Sequence, residues 1–498
     1  MNVNPITRLD YPDPDVIRVG DTYYMVSTTM HFMPGCEILQ SFDLVHWEHA
    51  TYVYETLDHT DAQQLKSGQN IYGQGMWAAS LRYHEGRFYI CFVANDTRKT
   101  YLYTSEKIDG PWKKQLIEGF YHDGSLLFDE DGRNYIVYGN DEIWITELNE
   151  DLTAPKKDGL HRLLVSDHKN PDLGYEGSHI QKINGYYYIF LIHSLRDRWM
   201  RTEACFYSDS LEGEFTGGDV LCDDRGYCGQ GVAQGGIVDT PDGKWYAMLF
   251  QDSGAVGRIP ILVPVTWKDH FPVFGQNGHV PEEIEVHSTR PGYIYQPLVG
   301  SDDFCNGLLP RWQFNHDPDP RYYHLDALQG TYTITTREVC TELTQAVNTL
   351  TQRMSYPSCA AEVTVDASAL KEGDVAGLCA LQGCYAAVGI TKHHGKYEVL
   401  MLDKKEDGIL DMTERTVVES HQMDFRLEAD FCNMKDEARC YYRVNKGDWL
   451  PIGTVHKLYF KLDHFTGCRF GLFCYAAEET GGSACFRDFK YYDVDEIS

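Results

Sequence analysis

The sequence predicts an all-β protein, a five-bladed β-propeller over residues 1–300 followed by a β-sandwich over 301–498. Two observations lead there. An apolar strand, a turn with Gly and an aromatic strand recur five times in the first part of the chain. The remainder alternates apolar and polar positions between turns and shows no helical periodicity. Its 498 residues also exceed what one core holds, since single cores rarely grow past roughly 250–300 residues.

The repeats are "DVIRVGDTYYMVST" (15–28), "SLRYHEGRFYICFVA" (80–94), "SLLFDEDGRNYIVYG" (125–139), "SHIQKINGYYYIFLIHS" (178–194) and "GGIVDTPDGKWYAMLFQ" (235–251). Each reads as a β-hairpin whose short turn needs Gly, Asn or Asp to reach positive φ. Aligned on their aromatics, Tyr24, Tyr89, Tyr135, Tyr187 and Tyr246 are 65, 46, 52 and 59 residues apart, room for one four-stranded sheet per repeat. Five such sheets make a propeller. "LQSFDLVHWE", "LYTSEKIDGPW" and "FYSDSLEGEF" supply the outer strands of three of them. The pattern stops after "VTWKDHFPVFGQNGHVP", and "STRPGYIYQPLVGSDDF" (288–304) has the Pro/Gly punctuation of an interdomain connection. Segments such as "GTYTITT", "CAAEVTVDA" and "KYEVLML" then read as sandwich strands.

Composition narrows the function. A formal charge of −30 repels phosphate backbones and anionic headgroups, which argues against nucleic acid and membrane surfaces as partners. Aromatic residues make up 13% of the chain, 34 of them Tyr, so disorder is a poor description. "MNVNPITRLDYPDPD" lacks the basic and apolar regions of a signal peptide, and no run of about 18 apolar residues occurs, so a cytoplasmic protein is expected. Fifteen cysteines without a C-x-x-C pair read as reduced core thiols in keeping with that compartment.

A propeller gathers its inner strands around one axis, so functional residues belong where those strands begin. Asp13 precedes the first inner strand, Asp123, in "YHDGSLLFD", the third, and Glu176, in "GYEGSHI", the fourth. Three acids at equivalent positions converge on the central cavity, whereas Asp10 and Asp15 read as turn or surface groups. "YPDPDVIRVGDTYYM", "GMWAASLRYHEGRFY", "HDGSLLFDEDG", "YEGSHIQKINGYYY" and "VGRIPILVPVTWKDHFPVF" together resemble glycoside hydrolase family 43, propeller enzymes that cleave β-xylosides and α-L-arabinofuranosides. "RWQFNHDPD" and "FRDFKYYD" resemble the β-sandwich of its xylosidase-type members.

The resemblance implies Asp13 as general base, Glu176 as general acid and Asp123 as the pKa modulator and orienter. Inverting hydrolysis needs one protonated carboxyl and one carboxylate holding a water, roughly 6.5–9.5 Å apart. Arg258, in "GAVGRIP", matches the family's sugar-subsite arginine. Sugars are held by aromatic faces, which selects Trp77, with Ala78 leaving space beside it, and Phe32. Phe465, in "DHFTGC", is expected on a sandwich loop that blocks the cleft. Two departures stand out: "WAA" at 77–79 where many members have "WAP", and Gln234 where many have a histidine near a central Ca2+. Ca2+ is therefore a family expectation with Gln234 and His179 as metal candidates, beside His193 and His31, and no organic cofactor is expected. The expected function is inverting exo-hydrolysis of short β-1,4-xylo-oligosaccharides from the non-reducing end, with α-L-arabinofuranosidase side activity on arabinoxylo-oligosaccharides. The alternatives are a mainly α-L-arabinofuranosidase activity and a non-catalytic carbohydrate-binding propeller; a homo-oligomer is left open.

Overall fold

The computed structural model describes residues 3–493. Those residues form β-sheet throughout, with four three-residue 3-10 turns and no α-helix among them, and no helix long and apolar enough to cross a membrane. Five four-stranded antiparallel sheets are the blades. Their innermost strands are Asp15–Val19, Met76–His84, Ser125–Phe128, Glu176–Ile183 and Ile237–Asp239. The aligned tyrosines each fall on the second strand of a blade; Tyr135, Tyr187 and Tyr246 are buried in packing between sheets, and Tyr24 and Tyr89 are half-buried. The turn chemistry works as the hairpin pattern requires: Asn184 and Gly185 take φ of 51° and 85°, matching the twist of the strands they join.

Two devices hold the ring. Arg82 lies on the axis: Nη1 donates to Asp15 Oδ2 at 2.8 Å, Nη2 to Ser125 Oγ at 2.7 Å and the Ile180 carbonyl at 3.1 Å, and Nε to the Leu126 carbonyl at 2.8 Å. One side chain thus ties the first four inner strands. The fifth is joined to the first by Arg18 against Asp239 at 2.5 Å. The N-terminal segment closes the ring along the fifth blade, where Asn4 exchanges side-chain hydrogen bonds with the Leu262 backbone at 2.8 and 2.9 Å.

The sandwich packs an eight-stranded sheet on a seven-stranded one. The strand Phe32–Met33 leaves the first blade and forms the edge of the eight-stranded sheet, pairing with Gln313–Asn315. Ala255, Val256 and Ile259 of the fifth blade pack into the sandwich core. The two domains therefore share both a sheet and an apolar interior.

Candidate active site

Asp13 sits in the "PDPD" turn at φ 52°, a left-handed conformation that Asp tolerates better than most residues. Its Oδ2 accepts from Thr28 Oγ1 at 2.7 Å and its Oδ1 from Arg258 Nη1 at 2.9 Å, so one oxygen faces a cation. Asp123 takes φ 48° just before the third inner strand, and its Oδ2 accepts the Gly177 N–H at 2.9 Å. That bond fixes the backbone immediately after Glu176. A register shift between Glu176 and His179 re-aims the start of the fourth inner strand, as bulges beside active sites do. Gly177 is required there: its φ is 65°, and an added Cβ would lie 2.7 Å from the Gln234 amide carbon.

Glu176 is half-buried, and its Oε2 accepts from Asn140 Nδ2 at 2.9 Å. His122 Nε2 lies 3.5 Å from both Glu176 Oε2 and Asp123 Oδ2. Burial raises Asp123 to about 6; Glu176 and Asp13 push the same way, against the His122 charge and the Gly177 N–H. Burial pulls His122 down, but Asp123, Glu176 and Asp13 outweigh it and raise the imidazole to about 9. Asp123 thus holds a proton to higher pH than a free aspartate, while His122 beside it stays charged through neutral pH.

Glu176 and His122 open on a cavity of about 550 Å³, lined also by Trp77 and Asn140 from the propeller and by Phe460, Leu462 and Phe465 from the sandwich. Trp77 and Ala78 lie at a register shift opening the second inner strand. The Trp77 ring stands 5.8 Å from His122 and 5.7 Å from Phe465. Phe465 covers the Arg258 guanidinium at 4.1 Å, and its carbonyl accepts from Arg258 Nη2 at 3.4 Å. The sandwich loop expected to reach the cleft is thus seated against the same arginine that holds Asp13.

Some expected residues lie elsewhere. Phe32 is 1% exposed, in the strand shared with the sandwich and 3.4 Å from the Arg469 guanidinium, so it has no face to offer a sugar. Asp10 and Asp15 are not surface groups. Asp10 accepts the Arg258 N–H at 2.8 Å and the Gly467 N–H at 2.7 Å, bracing the Phe465 loop. Asp15 is fully buried on Arg82, on the Leu81 N–H at 2.7 Å and on His179 Nδ1 at 3.0 Å. His193 bonds Asp219 at 2.7 Å, and His31 is buried at the domain seam. Ca2+ takes six to eight oxygen ligands. Around His179 the Asp15 oxygens are already spent on an arginine, an amide and an imidazole, while the Gln234 amide packs under Gly177. These residues do not form an oxygen cage, and no step below runs through a metal. His122, Asn140, Trp199 and Arg201 were missed; only His122 carried a signal, its adjacency to Asp123.

The family model for glycosyl hydrolases family 43 matches residues 3–272, more than half of the chain and all five blades but their last strand's end. The chain belongs to glycosyl hydrolase family 43. A model for the beta xylosidase C-terminal concanavalin A-like domain matches residues 301–492 of this family-43 enzyme. It is 27% identical to a beta-xylosidase of Formosa agariphila, over 99% of this chain and 89% of that one. It is 26% identical to a non-reducing end alpha-L-arabinofuranosidase of Bacteroides ovatus, over 66% of this chain and 63% of that one. Among solved structures, a bifunctional GH43-CE protein of Bacteroides eggerthii superposes with a TM-score of 0.93 at 43% identity, over 99% of this chain. The chain spans 64% of that protein's length. The family-43 assignment makes this protein a glycoside hydrolase.

Proposed function

We propose that the enzyme is an inverting exo-glycosidase that releases xylose from the non-reducing end of short β-1,4-xylo-oligosaccharides, with α-L-arabinofuranosidase side activity. The carrying observation is the contrast between the two carboxylates. Asp13 is held by a cation and a hydroxyl; Glu176 lines the cavity, takes a hydrogen bond from the neutral Asn140 amide and stands beside a second acid, Asp123, whose Oδ2 holds the Gly177 N–H. In this reading Asp13 orients and deprotonates the attacking water, Glu176 protonates the leaving oxygen, and Asp123 holds Glu176 in place through Gly177. Trp77 offers the sugar an aromatic face, with Ala78 making room beside it. Phe465 seals the cavity beyond Arg258, which favours attack on chain ends over internal linkages.

A mainly arabinofuranosidase activity is supported by the name of the Bacteroides ovatus relative and by one solved structure, 27% identical, whose title describes an enzyme with an engineered active site and both endo-xylanase and exo-arabinofuranosidase activity. One experiment separates the readings: 4-nitrophenyl xyloside and arabinofuranoside turnover with and without a chelator, with NMR of the first-formed anomer. Inverted product, faster xyloside turnover and no chelator effect are expected. Asp13→Ala and Glu176→Ala should each lower kcat by about a thousandfold in a folded protein, with melting unchanged in Glu176→Ala and lowered in Asp13→Ala, which strips the buried Arg258 of its partner. Retained configuration, or near-wild-type turnover in either variant, would refute the proposal.

A further inference from the structure

His122 occupies a place that acid–base hydrolysis by two carboxylates does not call for. Its carbonyl accepts the Gly139 N–H at 3.0 Å, which anchors it to the second strand of its own blade. Its Nε2 is buried, has no hydrogen-bond partner and stands equidistant, at 3.5 Å, from an oxygen of Asp123 and one of Glu176. The same Glu176 oxygen accepts from Asn140. Oε2 is therefore the accepting side of that carboxyl, and Oε1 is left for the proton.

We propose that His122 is a positioning residue for catalysis, the fixed cation against which Glu176 releases its proton. This rests on Glu176 being the general acid. The C–O glycosidic bond breaks as the Oε1 proton moves to the leaving oxygen, the water oxygen bonds to the anomeric carbon, and the water proton passes to Asp13. The negative charge born on Glu176 then faces an imidazolium already in place, which costs no reorganisation.

Charge accounting supports the assignment. With Glu176 protonated, Arg258 and His122 balance Asp13 and Asp123. Proton transfer leaves the net charge unchanged, because Asp13 gains the proton that water loses, but the Glu176–Asp123 side goes from one negative charge to two, and without His122 no cation would stand 3.5 Å from both acids. Of the other charged groups lining the cavity, Arg201 pairs with Asp252 at 3.0 Å and Lys461 with Glu406, and the one left over, Asp172, is an acid, so no second cation is free to serve Glu176. The Trp77 ring, 5.8 Å away, brings no charge. The shift of His122 to about 9 keeps it charged through neutral pH.

The test compares wild type, His122→Asn and His122→Lys on xylobiose, whose leaving group needs the acid, and on 2,4-dinitrophenyl xyloside, whose leaving group does not; arabinofuranosides replace them if turned over faster. In His122→Asn, kcat should fall at least about tenfold more on xylobiose than on the dinitrophenyl substrate. The alkaline limb of kcat/KM should rise by about one pH unit, as expected when a cation a few ångströms from an acid is removed. His122→Lys should recover part of both effects. Equal losses on the two substrates with an unmoved limb would overturn the proposal. Glu176→Gln run alongside shows the same selectivity if it removes the acid; if it does not, the acid assignment fails, and if it alone does, only the role of His122 fails. Melting curves identify an unfolded variant, in which case His122→Gln carries the comparison.

Discussion

His31, His316 and His464 are buried together where propeller meets sandwich, with ring centroids 4.8 Å apart for His31–His316 and 5.9 Å for His31–His464. Burial lowers His464 to about 4 and holds the other two well below the usual imidazole range. An unfolded chain takes up these protons from about pH 6.5 downward, whereas the folded one refuses them until far lower. The contribution of these three neutral histidines to stability is thus fully present above pH 6.5 and is lost as pH falls from there toward 4. His464→Phe should flatten that slope, so that its Tm drops less between pH 6.5 and 5 than the wild-type Tm; superimposable slopes would refute the argument. Single residues were legible where a local pattern carried them. Asp13, Asp123 and Glu176 share a position at the head of an inner strand. His122 had no such pattern, because a lone histidine beside an acid is ordinary in sequence and becomes distinctive only when Glu176 arrives from another blade.

Among the elements, the inner strands depend on a buried ion pair. Asp15 and Arg82 are 67 residues apart, so no spacing rule could join them, and the "PDPD" string drew Asp15 toward a turn reading. Removing one partner leaves the other charge buried and unmatched, which costs about 3 kcal/mol or more. Asp15→Ala should therefore lower unfolding free energy by about that amount in urea titrations; a change under 1 kcal/mol would show that water takes the carboxylate's place. The hairpins were readable because their turns and alternation are local. The register shifts at Trp77–Ala78 and after Glu176, which aim the site, were not, since they express the approach of Gly177 to Gln234 and of one blade to the next.

For the whole molecule, the two-domain reading captured the parts but not their fusion. Phe32 was expected to face sugar; it instead lies in a strand that completes the sandwich sheet, and Arg353 reaches back to Glu37 at 2.8 Å and the Asp10 carbonyl at 2.8 Å. Residues 1–300 expressed alone should consequently be aggregated or inactive, with xyloside turnover below a hundredth of the intact chain. A monomeric, fully active fragment would contradict this. The shared strand also bears on how the chain is made. Met33 pairs with Phe314, so translation must supply roughly 280 further residues, some 15–60 s at ordinary elongation rates, before this edge acquires its partner. Throughout that interval a nascent first blade presents an unsatisfied strand edge, the feature that recruits chaperones or neighbouring chains on a polysome.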